Sequence, residues 1–96
     1  MRKNNTEKLG KVIEDYIEAL DVKGKLKEVR LIRSWEEIVG KTIARKTDNI
    51  YIKEGKLFVE MNSSIARNEL SMLKSSLIGR LNEKAGSKVI SDIIIR

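Results

Sequence analysis

Gly40-Lys41-Thr42 is the residue pattern in this chain that could bind a phosphate group, since it matches the last three residues of a P-loop. A P-loop also requires a glycine at position 35, where this sequence has Trp35. The triplet lies within a helical pattern and no strand precedes it. We therefore exclude a nucleotide site, and we interpret Gly40 as a residue that lets a neighbouring element approach the helix closely.

Two other groupings resemble catalytic or metal sites. Ser71-Met72-Leu73-Lys74 fits the S-x-x-K motif of penicillin-recognising enzymes, but its companion motifs are missing. Glu14, Asp15 and Glu18 lie opposite the apolar stripe of a predicted helix, which is typical of a solvated surface. The 96 residues include no His and no Cys, which excludes zinc, haem, iron–sulfur and disulfide sites. The sequence predicts a protein that is not an enzyme, with no cofactor, metal or small-molecule substrate.

Basic side chains are the chemistry that this sequence has in excess. Lys and Arg number 20 against 14 Asp and Glu, a net charge of +6. If the predicted helix around Lys25 to Arg45 is continuous, five of its basic residues project within roughly 60° of one another. We predict that this ridge contacts nucleic-acid phosphates, although Glu37 interrupts it. The predicted nucleic-acid-binding residues are Lys23, Lys27, Arg30, Lys41 and Arg45.

The same predicted helix carries an apolar arc beside the basic ridge. Trp35 falls in the middle of this arc, so we expect it to pack in the core rather than to stack on a base. The arc comprises Val29, Ile32, Trp35, Ile38, Val39 and Ile43.

A second exposed surface is predicted around the hairpin and the start of the third helix. Its four apolar residues fall outside the main stripes, and we predict that they bind a partner protein. The alternative, that some of them cover a satellite core, stays open. The predicted partner-binding residues are Tyr51, Phe58, Ile65 and Met72.

Three amphipathic helices are predicted to position these residues. The first has apolar residues at helical spacing from Leu9 to Leu20 and is capped by Thr6. The second runs from about Lys25 to Arg45. The third begins at Ser63 or Ser64, carries an apolar stripe and ends at Gly86. Its stripe is Ala66, Leu70, Leu73, Leu77 and Leu81.

Three strands complete the predicted fold. The period changes to two after Asp48, and Glu54-Gly55 is the two-residue turn of a hairpin. The β-branched run from Val89 to Ile95 is the last strand, which must return parallel to the second because a whole helix connects them. The order helix-helix-strand-strand-helix-strand predicts a two-layer α+β domain with a three-stranded sheet packed by helices.

We expect one domain over residues 6–96, after a disordered basic tail at 1–5. No apolar segment follows that tail, and the longest aliphatic run is Ile93-Ile94-Ile95. The sequence therefore predicts a soluble cytoplasmic protein with no membrane association.

The order and spacing of several short motifs resemble the DciA family, once classed as a domain of unknown function. The motifs are Trp35-x-x-Ile38-Val39-Gly40-x-x-Ile43-Ala44-x-x-Thr47, Gly55-x-Leu57-x-Val59, Arg67-x-Glu69-Leu70 and the final Val89-to-Arg96 strand. The resemblance extends from about Leu9 to Arg96, a short form of the family. It implies a domain similar to K-homology folds.

The resemblance also implies a function in bacterial DNA replication, at the nucleoid. The expected role is to recruit or help load the replicative helicase DnaB, with affinity for single-stranded or forked DNA and no enzymatic activity. Two alternatives stay open. One is a K-homology-like RNA-binding module associated with ribosomes, and the other is a protein-interaction domain whose positive charge serves only solubility.

Overall fold

The structure, a computed structural model, describes Lys11 and residues 22–96. Apart from Lys11, the predicted first helix with its Thr6 cap lies outside the described residues, as does the predicted tail at 1–5. The side chains at positions 22 and 23 are also outside the described part, so the predicted contact of Lys23 is not placed.

The described residues form helices and a three-stranded sheet in the predicted order, which confirms the α+β class. Similarity to K-homology folds stays a prediction of the resemblance. The helices are α1 (Val22–Arg33), α2 (Trp35–Val39), α3 (Lys41–Arg45), α4 (Ser64–Met72) and α5 (Lys74–Ala85). The strands are β1 (Thr47–Lys53), β2 (Lys56–Met61) and β3 (Asp92–Ile95).

The predicted second helix is not continuous, because two residues divide it into α1, α2 and α3. The Ser34 hydroxyl donates a hydrogen bond to the Leu31 carbonyl over 2.7 Å, which competes with the helical backbone pattern. Gly40 has φ +90° and ψ 162°, a conformation that is essentially restricted to glycine. No heavy atom lies within 4 Å of a Cβ built on Gly40, so the expected close approach is wrong. The glycine is needed for its backbone angles.

The predicted third helix is also divided, between α4 and α5 at Leu73. The Ser63 hydroxyl caps α4 by accepting a hydrogen bond from the Ala66 amide, and Gly86 ends α5 in the left-handed conformation, both as predicted. The helical stripe placed Leu73 in the core, but Leu73 is 54% exposed. That assignment is wrong because the break at Leu73 interrupts the helical register.

The sheet has the order β1-β2-β3. The hairpin turn has φ +52° at Glu54 and +74° at Gly55, as a type I′ turn requires, and β1 and β2 pair antiparallel. β2 and β3 pair parallel, as the connecting helices predicted. Core side chains from the sheet and from the helical layer pack together, which confirms two layers.

The last strand begins at Asp92 rather than at Val89 because the Asn82 side chain holds the preceding backbone. The Asn82 amide oxygen accepts hydrogen bonds from the Val89 and Ile90 amides, over 2.9 and 3.0 Å. Its Nδ2 donates to the Ile90 carbonyl over 2.8 Å. These backbone groups are bound by a side chain of α5, so they cannot pair with a strand.

The core lies between the two layers and contains Trp35, 4% exposed, as predicted. The predicted apolar arc is wrong at Val29, which is 43% exposed, while Leu31 is fully buried. The predicted arc assumes one continuous helix from Lys25 to Arg45. Because the helix is interrupted at Ser34, the residues before the break do not share a face with those after it. The core residues are Leu31, Trp35, Ile38, Leu57, Val59, Met61, Ala66, Leu70, Leu77, Leu81, Ala85, Ile90 and Ile93.

Candidate nucleic-acid and partner surfaces

The predicted basic ridge is divided between two helices. Lys27 and Arg30 are exposed on α1. Lys41 and Arg45 are exposed one turn apart on α3, beyond the Gly40 turn. The prediction that these four residues form one ridge assumed a continuous helix. Since the helix is interrupted, the prediction of a single ridge on one helix is wrong. We call the two remaining groups the α1 pair and the α3 pair.

Each pair lies beside a shallow depression of the surface. Lys41 and Arg45 line one with Glu36 and Ala44. On α1, Arg30 and Arg33 line another with two exposed apolar residues, Leu26 and Val29. The sequence analysis did not predict that Leu26 and Val29 are exposed. Only the position of the break at Ser34 could have indicated it.

The cations of the two pairs are uncompensated in the part of the chain that the structure describes. No carboxylate in residues 22–96 forms an ion pair with Lys27, Arg30, Lys41 or Arg45. Glu37, which interrupts the ridge in the sequence, is bound to Lys84 over 2.8 Å. Exposed cations without such partners are the groups that a polyanion can neutralise with release of its counterions.

Two of the predicted partner-binding residues, Tyr51 and Phe58, are paired across the hairpin on the face of the sheet that points away from the helices. Their rings are stacked, with centroids 4.9 Å apart and planes 7° from parallel. The Arg96 guanidinium lies over the Phe58 ring, 5.3 Å from its centroid. Strand alternation places Arg96 on the outer face, but the sequence could not give the register that sets it over Phe58.

The other two predicted partner-binding residues lie in the helical layer. Ile65 and Met72 are 68% and 78% exposed, two turns apart on the side of α4 that points away from the buried Ala66 and Leu70. The structure therefore does not bring the four residues together. It forms two surfaces, a sheet face with Tyr51 and Phe58 and an α4 face with Ile65 and Met72.

A groove that the sequence did not predict lies in the helical layer, between α2 and α3 on one side and α4 and α5 on the other. Glu69 and Arg80 are its charged lining residues, and exposed Leu73 lies in its wall. The remaining lining is apolar and consists of Ile38, Val39, Ile43, Leu70 and Leu77. The break at Leu73 exposes that side chain, and no period in the sequence marks it.

The sequence motifs that resembled catalytic sites do not form one. Gly40 connects two helices rather than a strand and a helix, so the P-loop geometry is missing. The S-x-x-K motif spans the break at Leu73, and its Lys74 ammonium is ion-paired with Asp92 over 3.1 Å. The pKa of Asp92 is lowered below its ordinary 3.8, mainly by the hydrogen bond from the Ile93 amide and then by the contact with Lys74.

Two further kinds of site are missing from residue 11 and residues 22–96. No group of three or more acidic, His or Cys side chains in this part of the chain could hold a metal ion. No helix in it is long and apolar enough to cross a membrane.

Comparison with known proteins adds to this geometry. The family model described as "Dna[CI] antecedent, DciA" matches residues 8–95. A UPF0232 protein of Corynebacterium glutamicum (strain R) is 34% identical over 62 residues, which are 65% of this chain and 35% of the relative. The chain thus spans about a third of the length of this curated relative.

Proposed function

The chain belongs to the DciA family, and from that premise we propose that it is a non-enzymatic adaptor that binds DNA and recruits or helps load the replicative helicase DnaB. The observation that carries the DNA-binding part is the set of exposed, uncompensated cations in the α1 and α3 pairs. Such groups give sequence-independent affinity for phosphates. This role places the protein at the nucleoid in the bacterial cytoplasm.

We assign the helicase contact to the α4 face rather than to all four predicted residues. Ile65 and Met72 are large apolar side chains that are mostly exposed, and they share one side of α4. Exposed apolar residues grouped in this way are typical of protein contacts. The neighbouring Leu73 extends the same apolar surface towards the groove.

The test is direct binding of purified DnaB to the purified protein after nuclease treatment. We expect association at micromolar concentration without nucleotide or DNA. Replacing Ile65 and Met72 together by Ser should weaken this association about tenfold or more, if they act as interface hot spots. Both side chains are exposed, so thermal unfolding should change little.

Replacing Leu26 and Val29 together by Ser supplies the matched control, since these two are also exposed apolar residues but lie on α1. This variant should bind DnaB like the parent. A parent protein that fails to associate with DnaB under these conditions contradicts the helicase role. Equal DnaB affinity of the parent and the Ile65/Met72 variant would instead move the contact away from α4.

Binding to single-stranded DNA, duplex DNA and RNA of equal length separates the proposal from its rivals. DNA should compete more strongly than RNA for the protein. Stronger competition by RNA would favour the RNA-binding module. Absence of any nucleic-acid binding at low salt would favour a pure protein-interaction domain.

A further inference from the structure

The outer face of the sheet carries a row of side chains that crosses all three strands. Tyr51 of β1 pairs in register with Phe58 of β2, and Phe58 pairs with Ile94 of β3. None of the three belongs to the core cluster or packs against it. The neighbouring positions Leu57 and Ile93 are buried on the opposite side of the sheet. The row is therefore a surface of the domain rather than part of its interior.

The aromatic part of this row is ordered by contacts on its own face. Tyr51 and Phe58 are stacked on each other, and the Arg96 guanidinium lies over Phe58. Among residues 22–96, β1 is an edge strand of the sheet, and no strand of this part of the chain continues the row beyond Tyr51. A flat ring supported from one side at a sheet edge is an arrangement on which a nucleobase can stack.

Cations outnumber acids around the rings: Lys53, Lys56 and Arg96 lie there, against Glu60, which has no ion pair within residues 22–96. Lys53 and Lys56 pair with each other across the hairpin, next to the aromatic pair, and neither has an ion-pair partner within residues 22–96. Of the acids on this face, Asp92 is compensated by a lysine, while Glu60 keeps its negative charge. Glu60 accepts a hydrogen bond from Asn49 over 2.7 Å, and Asp92 is ion-paired with a helical lysine.

We propose that this sheet face is a binding site for single-stranded DNA. One base stacks on Tyr51, and Lys53, Lys56 and Arg96 neutralise phosphates on either side of it. The inference rests on the proposed DNA-binding function and adds a surface separate from the α1 and α3 pairs. Duplex DNA keeps its bases stacked inside the helix and cannot offer one to the ring.

Fluorescence anisotropy with a short oligo-dT and with a duplex of the same length tests the site. Tyr51→Leu should weaken oligo-dT binding about 5- to 150-fold, the range for loss of one base–aromatic stack, and leave duplex binding unchanged. The dependence on salt should keep its slope, because no cation is lost. Tyr51→Phe retains the ring and should bind oligo-dT like the parent.

The lysines give an independent measurement. Replacing Lys53 and Lys56 together by Gln should lower the salt slope of oligo-dT binding by about 0.7 per lysine. Photo-crosslinking of the parent to an oligonucleotide that carries iodouracil requires no variant at all. Its crosslinks should map to the peptides that contain Tyr51 and Phe58. Thermal unfolding of each variant identifies any loss of affinity that comes from unfolding.

Three outcomes would overturn the site. These are equal oligo-dT affinity of Tyr51→Leu and the parent, crosslinks confined to α1 and α3, and tighter binding of oligo-rU than of oligo-dT. If DnaB and duplex DNA still bind in those cases, the proposed function stands and the site alone fails. If DnaB does not bind while Tyr51→Leu selectively loses oligo-dT, the helicase role fails and the site stands.

Discussion

Trp35 connects three parts of the fold through one side chain. Its ring is buried, and its Nε1 donates a hydrogen bond to the Thr47 hydroxyl over 3.1 Å. That hydroxyl donates in turn to the Ile43 carbonyl over 3.0 Å. The chain of hydrogen bonds joins the start of α2 to α3 and to the first residue of β1. The indole N–H of Trp35 therefore has a hydrogen-bond partner inside the domain, which is the usual condition for burying a tryptophan.

We expect Trp35→Ala to reduce the free energy of unfolding by about 3 to 5 kcal/mol, the typical loss for a buried large aromatic. DNA affinity should fall only as the folded fraction falls, because the ring is not at the surface. Chemical denaturation followed by circular dichroism measures the first quantity, and DNA titration at a temperature where the variant is folded measures the second. Nearly parental stability with lost DNA binding would contradict the core assignment.

The burial of Trp35 was predictable from sequence, while the exposure of its neighbours on α1 was not. A large aromatic in the middle of an apolar arc is buried under most small shifts of helix register. Val29 lies at the margin of the arc, where a small rotation of the helix moves a side chain from the core to the solvent. The break at Ser34 changes the helix register in this way. The Ser34 hydrogen bond to the Leu31 carbonyl is a local contact that a serine can make or leave unmade within a helix, so the hydrophobic pattern does not specify the break.

The elements of this chain are set apart by single residues, and Gly40 is the clearest example. Gly40 lies between α2 and α3 and has φ +90°, which ends the first helix before the second begins. Gly79 offers a contrast, because it lies inside α5 and also has open space around the position of a Cβ. The two glycines differ in backbone conformation and not in crowding.

Gly40→Ala should destabilise the protein by about 1 to 3 kcal/mol, because an alanine strains in that backbone region. Gly79→Ala should stabilise it by about 0.5 to 1 kcal/mol, since alanine is the better helix former. Paired thermal and urea unfolding of the two variants measures both changes. If both alanines stabilised the protein to a similar extent, α2, Gly40 and α3 would be able to form one continuous helix.

Element types and order follow from the sequence because the hydrophobic periods of the strands and helices are unambiguous. The divisions at Ser34, Gly40 and Leu73 do not, since each falls inside an uninterrupted helical period. The same distinction applies to the candidate site. The exposure of Lys27, Arg30, Lys41 and Arg45 and the position of Tyr51 and Phe58 outside the core were predictable. The grouping of the candidate residues into two cation pairs, a sheet face and an α4 face was not.

At the scale of the whole molecule, the excess charge is distributed rather than concentrated. The net charge is +6, and within residues 22–96 cations without an ion pair lie on α1, on α3, on the outer face of the sheet and also on and after α5, at Arg80 and Lys88. Ion pairs neutralise acids that would otherwise lie among them, such as Glu37 and Asp92. Several weak phosphate contacts on different surfaces suit a protein that follows the backbone of DNA without reading its sequence.

Changing Lys27, Arg30, Lys41 and Arg45 together to Gln should weaken DNA binding to a similar extent on all sequences. Each true contact should lower the salt slope on a single strand by about 0.7. The free energy of unfolding should stay within about 0.5 kcal/mol of the parent value, because all four side chains are exposed. Titrations at several salt concentrations, together with thermal unfolding, measure these quantities.

Lys25 and Lys84 provide a control of matched chemistry, since each is exposed and already ion-paired with a glutamate. Replacing these two by Gln should change the salt slope less than replacing Lys27 and Lys41. A fourfold variant with an unchanged slope would leave the sheet face as the principal DNA contact. It would show that the α1 and α3 pairs do not contact DNA phosphates.

The Asn82 side chain that fixes the backbone at Val89 and Ile90 also has a consequence for the order in which the chain folds. β2 and β3 pair parallel, so the chain must close a long loop before that pairing forms, and the entropy of closure opposes it. Once α5 has docked, Asn82 holds the backbone two residues before β3 and removes most of the remaining freedom. We therefore expect the last strand and α5 to open and close as one cooperative unit. In native-state hydrogen exchange, the amide protons of Val89 and Ile90, which are bound by a side chain alone, should exchange at the same rate as those of β3.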